Sequence, residues 1–156
     1  MRMVHRAGIF LPDNAFYLFK SGTINGITWT GSADGYSSYT INSSGINVRA
    51  YLWNGVSGSG SSSVITYVDL RGFKHVGFTY NEYKTVSATA PNIRVYPNYV
   101  SLSTGTGSRT AIYDLSAIPD LSNQLIMIQS GHVSKSSTSG VVDSVLTVTA
   151  VWATRD

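Results

Sequence analysis

One short phrase occurs twice in this chain and constrains the fold more than any other feature. Residues 68–73 (VDLRGF) lead into the apolar segment 74–80, and residues 113–120 (YDLSAIPD), 45 positions later, lead into 125–129. Each copy is typical of a strand that ends in Asp-Leu, a turn with Gly or Pro, and a second strand. Asp bonds to nearby backbone amides, Gly accepts a positive φ and Pro fixes φ, so all three favour turns at strand ends. Two such units without any helical stretch indicate sheets that pack on each other.

The composition favours strands over helices. A chain of 156 residues fits one domain with a real core. Its polarity comes mainly from 23 Ser, 15 Thr and 15 Gly, while only 12% of the residues are charged. Glu82 is the one Glu, and Lys and Ala are sparse, which disfavours helices. We expect an N-terminal connector or edge segment at residues 1–14 and a single β-domain at residues 15–156.

Hydrophobic alternation predicts the strands and their faces. It is clearest at 46–53, where one face carries Ile46, Val48, Ala50 and Leu52 and the other carries Asn47, Arg49, Tyr51 and Trp53. Further strands are predicted at 15–19, 26–30, 39–41, 64–68, 74–83, 94–102, 109–115, 125–129 and 144–152. Gly- and Ser-rich segments predict a turn at 31–35, a mobile loop at 55–63 and loops at 103–107 and 134–140. Nine or ten short strands punctuated by turns predict an all-β fold, an antiparallel two-sheet β-sandwich that is jelly-roll-like. We expect Trp29 and Trp152 to pack inside it, with Trp152 on the face of Leu146, Val148 and Ala150.

Charge and cysteine content exclude several classes of function. The net charge of +3 comes from Lys and Arg residues that are scattered along the chain, whereas nucleic-acid binders concentrate positive charge on one element or face. There are no cysteines, which excludes disulfides, thiolate catalysis and Cys-ligated zinc. No apolar stretch approaches membrane-spanning length, and nothing at the start resembles a signal peptide. We therefore expect no nucleic-acid partner and no membrane insertion. If the protein acts outside a cell, we expect it to leave by a route such as lysis.

No group of residues has the pattern of an active site. Asp69 and Asp114 are interpreted as turn residues from their positions at strand ends. Asp34 and Asp143 stand in Gly/Ser-rich surroundings where a carboxylate can help to bind calcium, but no Asp-rich ligand series accompanies them. Glu82 has no partner carboxylate for glycoside hydrolysis. The sequence predicts no enzyme, no catalytic residues, no metal site and no cofactor.

Aromatic residues are the stronger signal, because 18 rings are more than a core of this size needs. On the alternation at 46–53, Arg49, Tyr51 and Trp53 share the face opposite the core. A flat ring beside hydrogen-bonding side chains suits a sugar, whose CH face stacks on the ring while its hydroxyls take polar partners. Tyr80 and Tyr83 are added as candidate ligand-binding rings, with segments 55–63 and 103–108 as rims. The alternative is that Tyr51 and Trp53 lie under a loop or in a subunit interface, where Tyr and Trp are also enriched.

The order of these elements resembles a family of viral modules. It runs through 18–22 (LFKSG), a turn around Trp29, 68–73, 113–115 (YDL) and the closing strand 144–152 (SVLTVTAVW). Over about residues 16–153 the chain is similar to the C-terminal, carbohydrate-binding-like sandwich modules of bacteriophage tail-fibre and baseplate proteins. That resemblance implies a non-enzymatic virion domain that touches the host envelope. The family has no fixed site motif, so it assigns no binding residue.

The leading hypothesis is a phage virion module that attaches to a surface glycan or protein of the host. The resemblance implies a protein made in the bacterial cytoplasm that acts outside it in the virion. Its partners would be other virion subunits and copies of itself, with a trimer favoured because such tips have cyclic symmetry. Two alternatives stay open: a purely structural virion or decoration domain, and a carbohydrate-binding module of a secreted bacterial enzyme.

Overall fold

The computed structural model describes residues 3–6, 9–12, 14–20, 22, 24–104 and 107–156. The strands are β1 (Met3–Arg6), β2 (Ile9–Pro12), β3 (Phe16–Lys20), β4 (Thr30–Gly35), β5 (Ser37–Asn42), β6 (Gly45–Leu52), β7 (Gly58–Val68), β8 (His75–Lys84), β9 (Asn92–Val95), β10 (Asn98–Tyr99), β11 (Arg109–Asp114), β12 (Gln124–Gln129), β13 (Val133–Lys135) and β14 (Val142–Thr154). A single 3₁₀ turn, Leu115–Ala117, follows β11 within the described chain.

Two six-stranded antiparallel sheets form the sandwich. Sheet I has the order β10-β9-β12-β7-β4, with β13 beside the start of β7. Sheet II has the order β11-β8-β14-β6-β5, with β3 beside the end of β14. From β3 onward, most connections cross from one sheet to the other, as in a jelly roll. The predicted all-β two-sheet sandwich is confirmed.

The alternation in β6 places the core as predicted. Ile46, Val48, Ala50 and Leu52 are all 0% exposed. Ile46 and Val48 pack in the main core, while Ala50 and Leu52 join a smaller cluster around Val133. Burying an aliphatic side chain the size of Ile, Val or Leu stabilises the fold by about 1.5–3 kcal/mol. The buried side chains of β6 therefore determine which face of sheet II is exposed to solvent.

Trp29 and Trp152, the two tryptophans predicted to pack inside, are both buried, but only Trp29 belongs to the main core. Trp29 packs edge-on against Phe19 in the core, with its Nε1 donating to the Leu18 carbonyl at 3.0 Å. Trp152 does not share the core face of Leu146 and Val148, so that part of the prediction is wrong. Thr149 has no counterpart on β8, because Val148 is opposite Tyr80 and Ala150 is opposite Thr79.

This β-bulge reverses the alternation of β14. Beyond it Val151 and Ala153 enter the core, and the Trp152 ring lies against Gly77 on the outer face. A Cβ on Gly77 would come within 2.3 Å of that ring. The glycine therefore makes room for the tryptophan.

Two segments predicted as turn and loop are strands instead. Residues 31–35 belong to β4, residues 58–63 begin β7, and the strand predicted at 26–30 starts only at Thr30. At Tyr36 the chain passes from sheet I to sheet II, and its backbone crosses directly over β7. A Cβ on Gly60 would lie 2.6 Å from the Tyr36 carbonyl oxygen. The glycines in this segment therefore permit a close crossing of two backbones, and the flexible loop that their composition predicted is not formed.

The repeated Asp-Leu phrases are turns, as predicted. Asp69 Oδ1 accepts a hydrogen bond from the Arg71 amide at 3.0 Å, and Asp114 Oδ1 accepts one from the Ser116 amide at 2.9 Å. Arg71 also donates through its guanidinium to both Asp69 oxygens, and these bonds lower the pKa of Asp69 to about 2. Both carboxylates are used to close turns.

Of the N-terminal connector predicted for residues 1–14, the structure describes residues 3–6, 9–12 and 14. The backbone of β1 and β2 forms an antiparallel pair, a separate two-stranded sheet. In the part of the chain that the structure describes, no helix is long and apolar enough to span a bilayer.

Candidate functional site

The predicted site residues Arg49, Tyr51 and Trp53 lie together in sheet II, at the C-terminal end of β6. Arg49 and Tyr51 project from the outer face of β6, and Trp53 follows at its end. Trp53 is 45% exposed, while Arg49 and Tyr51 are half-buried. Sequence alternation was sufficient to place these side chains on one face, because the buried residues between them fix the direction of each.

An ion pair beneath the rings holds this surface in shape. Arg49 donates from Nε to Asp143 Oδ1 at 3.0 Å and from Nη2 to Asp143 Oδ2 at 2.8 Å. Its guanidinium carbon lies 4.2 Å from the centroid of the Tyr51 ring. The bonds to Asp143 raise the pKa of Arg49 above its usual value. A paired, planar guanidinium is a rigid support for a stacked ring, so the ion pair helps to orient Tyr51.

Tyr36 completes the set of rings. Its centroid lies 5.4 Å from that of Trp53 in an edge-to-face contact, and Trp53 lies 5.8 Å from Tyr51. These three rings and Arg49, supported by Asp143, are called the aromatic platform below. A groove of about 330 Å³ runs along it and is also lined by Gly35, Ser37 and Ser38.

The loop that carries Trp53 is braced by the loop after β13. Lys135 Nζ donates to the Trp53 carbonyl at 2.9 Å, Gly140 donates its amide to Asn54 Oδ1 at 3.0 Å, and Gly55 donates its amide to the Thr138 carbonyl at 2.7 Å. The rim of the platform therefore comes from residues 135–140. The described part of the predicted rim at 103–108 lies elsewhere, since Thr104, Gly107 and Ser108 line a groove beside Glu82. Most of the predicted rim at 55–63 is strand.

Tyr83 and Tyr80, the other predicted site residues, have opposite environments. Tyr83 is 56% exposed on the same outer face as Arg49, two strands away, because Val145 is opposite both residues. Strand spacing puts it about 10 Å from Arg49, within reach of the same extended ligand. Tyr80 is 1% exposed, and its hydroxyl accepts from the Ser103 amide at 2.8 Å. The expectation that Tyr80 offers a ring to a ligand is wrong, because the core face of β8 includes this position.

A second groove of about 650 Å³ lies at the end of β8, where Tyr83 and Glu82 meet Thr104, Gly107 and Ser108. Burial raises the pKa of Glu82, although Lys84 and Arg109 lower it in part. Among the described residues no three metal-binding side chains lie close enough to hold an ion. Asp143, one of the two Asp residues weighed as calcium ligands, is instead the partner of Arg49.

The aromatic platform offers rings for stacking and polar side chains that donate and accept hydrogen bonds.

Sequence reasoning missed Tyr36 and Asp143. Tyr36 stands between the turn predicted at 31–35 and the strand predicted at 39–41, so no alternation marked its direction. Asp143 was assigned to a loop, and its partner Arg49 is 94 residues away.

No family model and no curated protein matches the chain. Among solved structures, the chain is similar to a mutant of a carbohydrate-binding module of family 29, with 16% identity and a TM-score of 0.50 over 90% of this chain and 92% of the other. A second structure of a family 29 carbohydrate-binding module shares 16% identity, with a TM-score of 0.48 over 90% of this chain and 88% of the other. At this identity the likeness establishes the all-β sandwich fold.

Proposed function

We propose that this protein is a non-enzymatic glycan-binding module and that the aromatic platform is its binding site. The observation that carries the proposal is the continuous group Tyr36, Trp53, Tyr51 and Arg49, which lines a groove on an exposed sheet face. The similar solved structure is named as a carbohydrate-binding module, and the role fits a fold of this type.

The chemistry of the platform favours a neutral sugar. The rings offer flat apolar faces for the CH groups of a pyranose, and Ser37 and Ser38 line the groove. Arg49 brings a positive charge, but Asp143 matches it with two charge-assisted bonds. The carboxylate of an acidic sugar would compete with Asp143 for the Arg49 guanidinium. A neutral sugar binds through hydroxyl groups and ring stacking, and these interactions do not require an unpaired positive charge.

The biological setting we propose is attachment of a phage tail fibre or baseplate to a host surface glycan. Support comes from the resemblance of the strand-and-turn order to tail-fibre and baseplate modules. In this setting the module is made in the bacterial cytoplasm, acts in the virion and assembles with copies of itself as a trimer. Light scattering tests the assembly, and a monomer at micromolar concentration would favour an isolated module or a subunit that needs its scaffold.

The decisive experiment is titration of the purified protein against a panel of neutral polysaccharides, with Trp53→Ala as the test variant. Stacking aromatics dominate such sites, so we expect Trp53→Ala to cost roughly 2 kcal/mol or more of affinity. The exposed ring adds little to the fold, so stability should change little. Ile112→Ala, which removes a side chain that is 50% exposed on β11, is the matched control and should bind normally.

Full-strength binding by a folded Trp53→Ala protein would move the site away from the platform. Failure of the wild type to bind any neutral polysaccharide would overturn the proposed function. For the virion setting, the same pair of variants is tested on bacterial cells with defined surface-glycan mutations. Attachment that is unchanged by every glycan mutation would favour a protein receptor, and no attachment to any of the cells would favour a structural role.

A further inference from the structure

The outer face of sheet I carries a second group of exposed rings, on the opposite side of the sandwich from the platform. Tyr67, Tyr96 and Tyr99 are 58%, 48% and 63% exposed. Tyr99 is opposite Arg94 on the neighbouring strand, and Arg94 is opposite Met127. These positions alternate with fully buried core residues such as Ile126 and Val95, so their side chains share the outward direction.

Arg94 lies between two of these rings. Its guanidinium carbon is 4.8 Å from the centroid of Tyr96 and 4.5 Å from that of Tyr99. Nη2 donates to the Pro97 carbonyl at 2.9 Å, while Nε is buried without a partner. Within the described residues, no carboxylate forms an ion pair with Arg94, whereas Arg49 and Arg71 each have an Asp partner.

We propose that Arg94, Tyr96 and Tyr99, together with Tyr67, form a binding site for sugars that carry a carboxylate. This group is called the tyrosine clamp. A guanidinium that contacts two rings and has no carboxylate partner can bind a carboxylate through its planar donors. The neighbouring rings provide stacking surface for the pyranose that carries the acid.

The size of the surface favours a glycan over a protein partner. Tyr67 to Tyr99 spans four adjacent strands, β7, β12, β9 and β10, which is about 14 Å at the usual strand spacing. The clamp is two side-chain rows deep, about 7 Å. That footprint is far below the roughly 800 Å² that each partner buries in a stable protein interface. It fits a short oligosaccharide.

The proposal is independent of the neutral-glycan site, because the two surfaces lie on opposite outer faces and use different residues. It predicts that one chain distinguishes two ligands by charge. The platform presents an Arg that Asp143 has neutralised, and the clamp presents an Arg whose charge is unmatched.

The test is titration calorimetry with galacturonate, glucuronate and sialic-acid oligosaccharides, each compared with its methyl ester. Esterification keeps the sugar ring and removes the charge. We expect the wild type to bind at least one acid about ten-fold or more tightly than its ester, and Arg94→Gln to lose that preference, since a bond to a charged group accounts for a factor of this size. Tyr99→Ala should weaken binding of the acid several-fold.

Two controls separate this site from general charge and from the platform. Arg155→Gln removes an equal charge that stacks on Phe73 at 4.2 Å, and it should bind the acid normally. Trp53→Ala should also retain binding of the acid, so failure of the platform and failure of the clamp give different results.

Four outcomes would overturn the proposal. They are equal binding of every acid and its ester, equal losses in Arg94→Gln and Arg155→Gln, no binding of any acid by the wild type, and dissociation of an oligomer by Arg94→Gln in place of lost sugar binding. If Arg94→Gln fails to fold, Tyr99→Ala and the comparison of acid with ester in the wild type decide.

Discussion

Arg49 and Asp143 meet across β6 and β14 through two parallel hydrogen bonds of 3.0 and 2.8 Å. The Asp143 side chain is 9% exposed and that of Arg49 is 42% exposed, so the pair is half-shielded from water. Because Arg49 also contacts the Tyr51 ring, the pairing of β6 with β14 helps to set the position of that ring in the aromatic platform.

The first prediction concerns this pair. A double-mutant cycle of Arg49→Gln and Asp143→Asn, measured by urea unfolding, should give a coupling free energy of about 1 kcal/mol, at the upper end for partly exposed pairs because the contact is bidentate. Each single variant should also bind the glycan more weakly, since Tyr51 loses its support. A coupling energy near zero would mean that the pair does not order the platform.

The second prediction concerns the crossing at Tyr36. Gly60→Ala would place a Cβ 2.6–2.8 Å from the backbone N, C and O atoms of Tyr36, and backbone cannot rotate away. We expect a loss of roughly 1–3 kcal/mol in the free energy of unfolding, as in other overpacked sites.

Ser59→Ala, one residue away on an exposed position, is its control and should stay within about 0.5 kcal/mol of the wild type. Gly60→Ala should also weaken glycan binding, because Tyr36 contacts Trp53. An unchanged melting temperature would contradict the crossing.

The third prediction concerns acid stability. Arg71 lowers the pKa of Asp69 from 3.8 to about 2. A lowered pKa stabilises the fold above the unfolded value of 3.8, and this contribution is lost as the pH falls through 2. Thermal unfolding of Asp69→Asn should therefore depend less steeply on pH in this window. Because Asn keeps the turn bond, the variant should match the wild type at low pH, and at pH 7 it should be modestly less stable because the bonds to the Arg71 guanidinium are lost. If the melting temperature of Asp69→Asn falls with pH as steeply as that of the wild type, this carboxylate is not a source of the acid sensitivity.

The fourth prediction concerns Glu82, whose contribution to stability changes with pH in the opposite direction to that of Asp69. Burial raises the pKa of Glu82 above its ordinary value of 4.5, so the fold favours the protonated form. Stability from this group is fully present below pH 4.5 and decreases as the pH rises through the higher folded value. Glu82→Gln should therefore be more stable than the wild type at pH 7 and equal to it at low pH. Lower stability of Glu82→Gln at pH 7 would show that Lys84 and Arg109 outweigh burial.

The amino-acid sequence by itself determined the features that depend on near neighbours. Alternation from Ile46 to Trp53 assigned both faces of β6, since each residue of a strand points opposite to the next. The turns at Asp69 and Asp114 followed equally well, because each carboxylate bonds to an amide two residues ahead. These local rules were enough for the all-β class and for three members of the platform.

Only the tertiary structure decided the features that join distant parts of the chain. The 58–63 segment is strand because it pairs with β4 and β13, and its Gly60 lets the Tyr36 backbone approach closely. Composition alone cannot distinguish a glycine needed for close approach from one in a flexible loop. The bulge at Thr149 turned Trp152 away from the core, although the alternation before it was regular. Asp143 found Arg49 across 94 residues, a pairing set by strand register and not by any local pattern. The sequence therefore predicted which way Arg49, Tyr51 and Trp53 point, because direction along a strand is a local property. Their contacts with Tyr36 and Asp143 depend on the fold and could not be predicted.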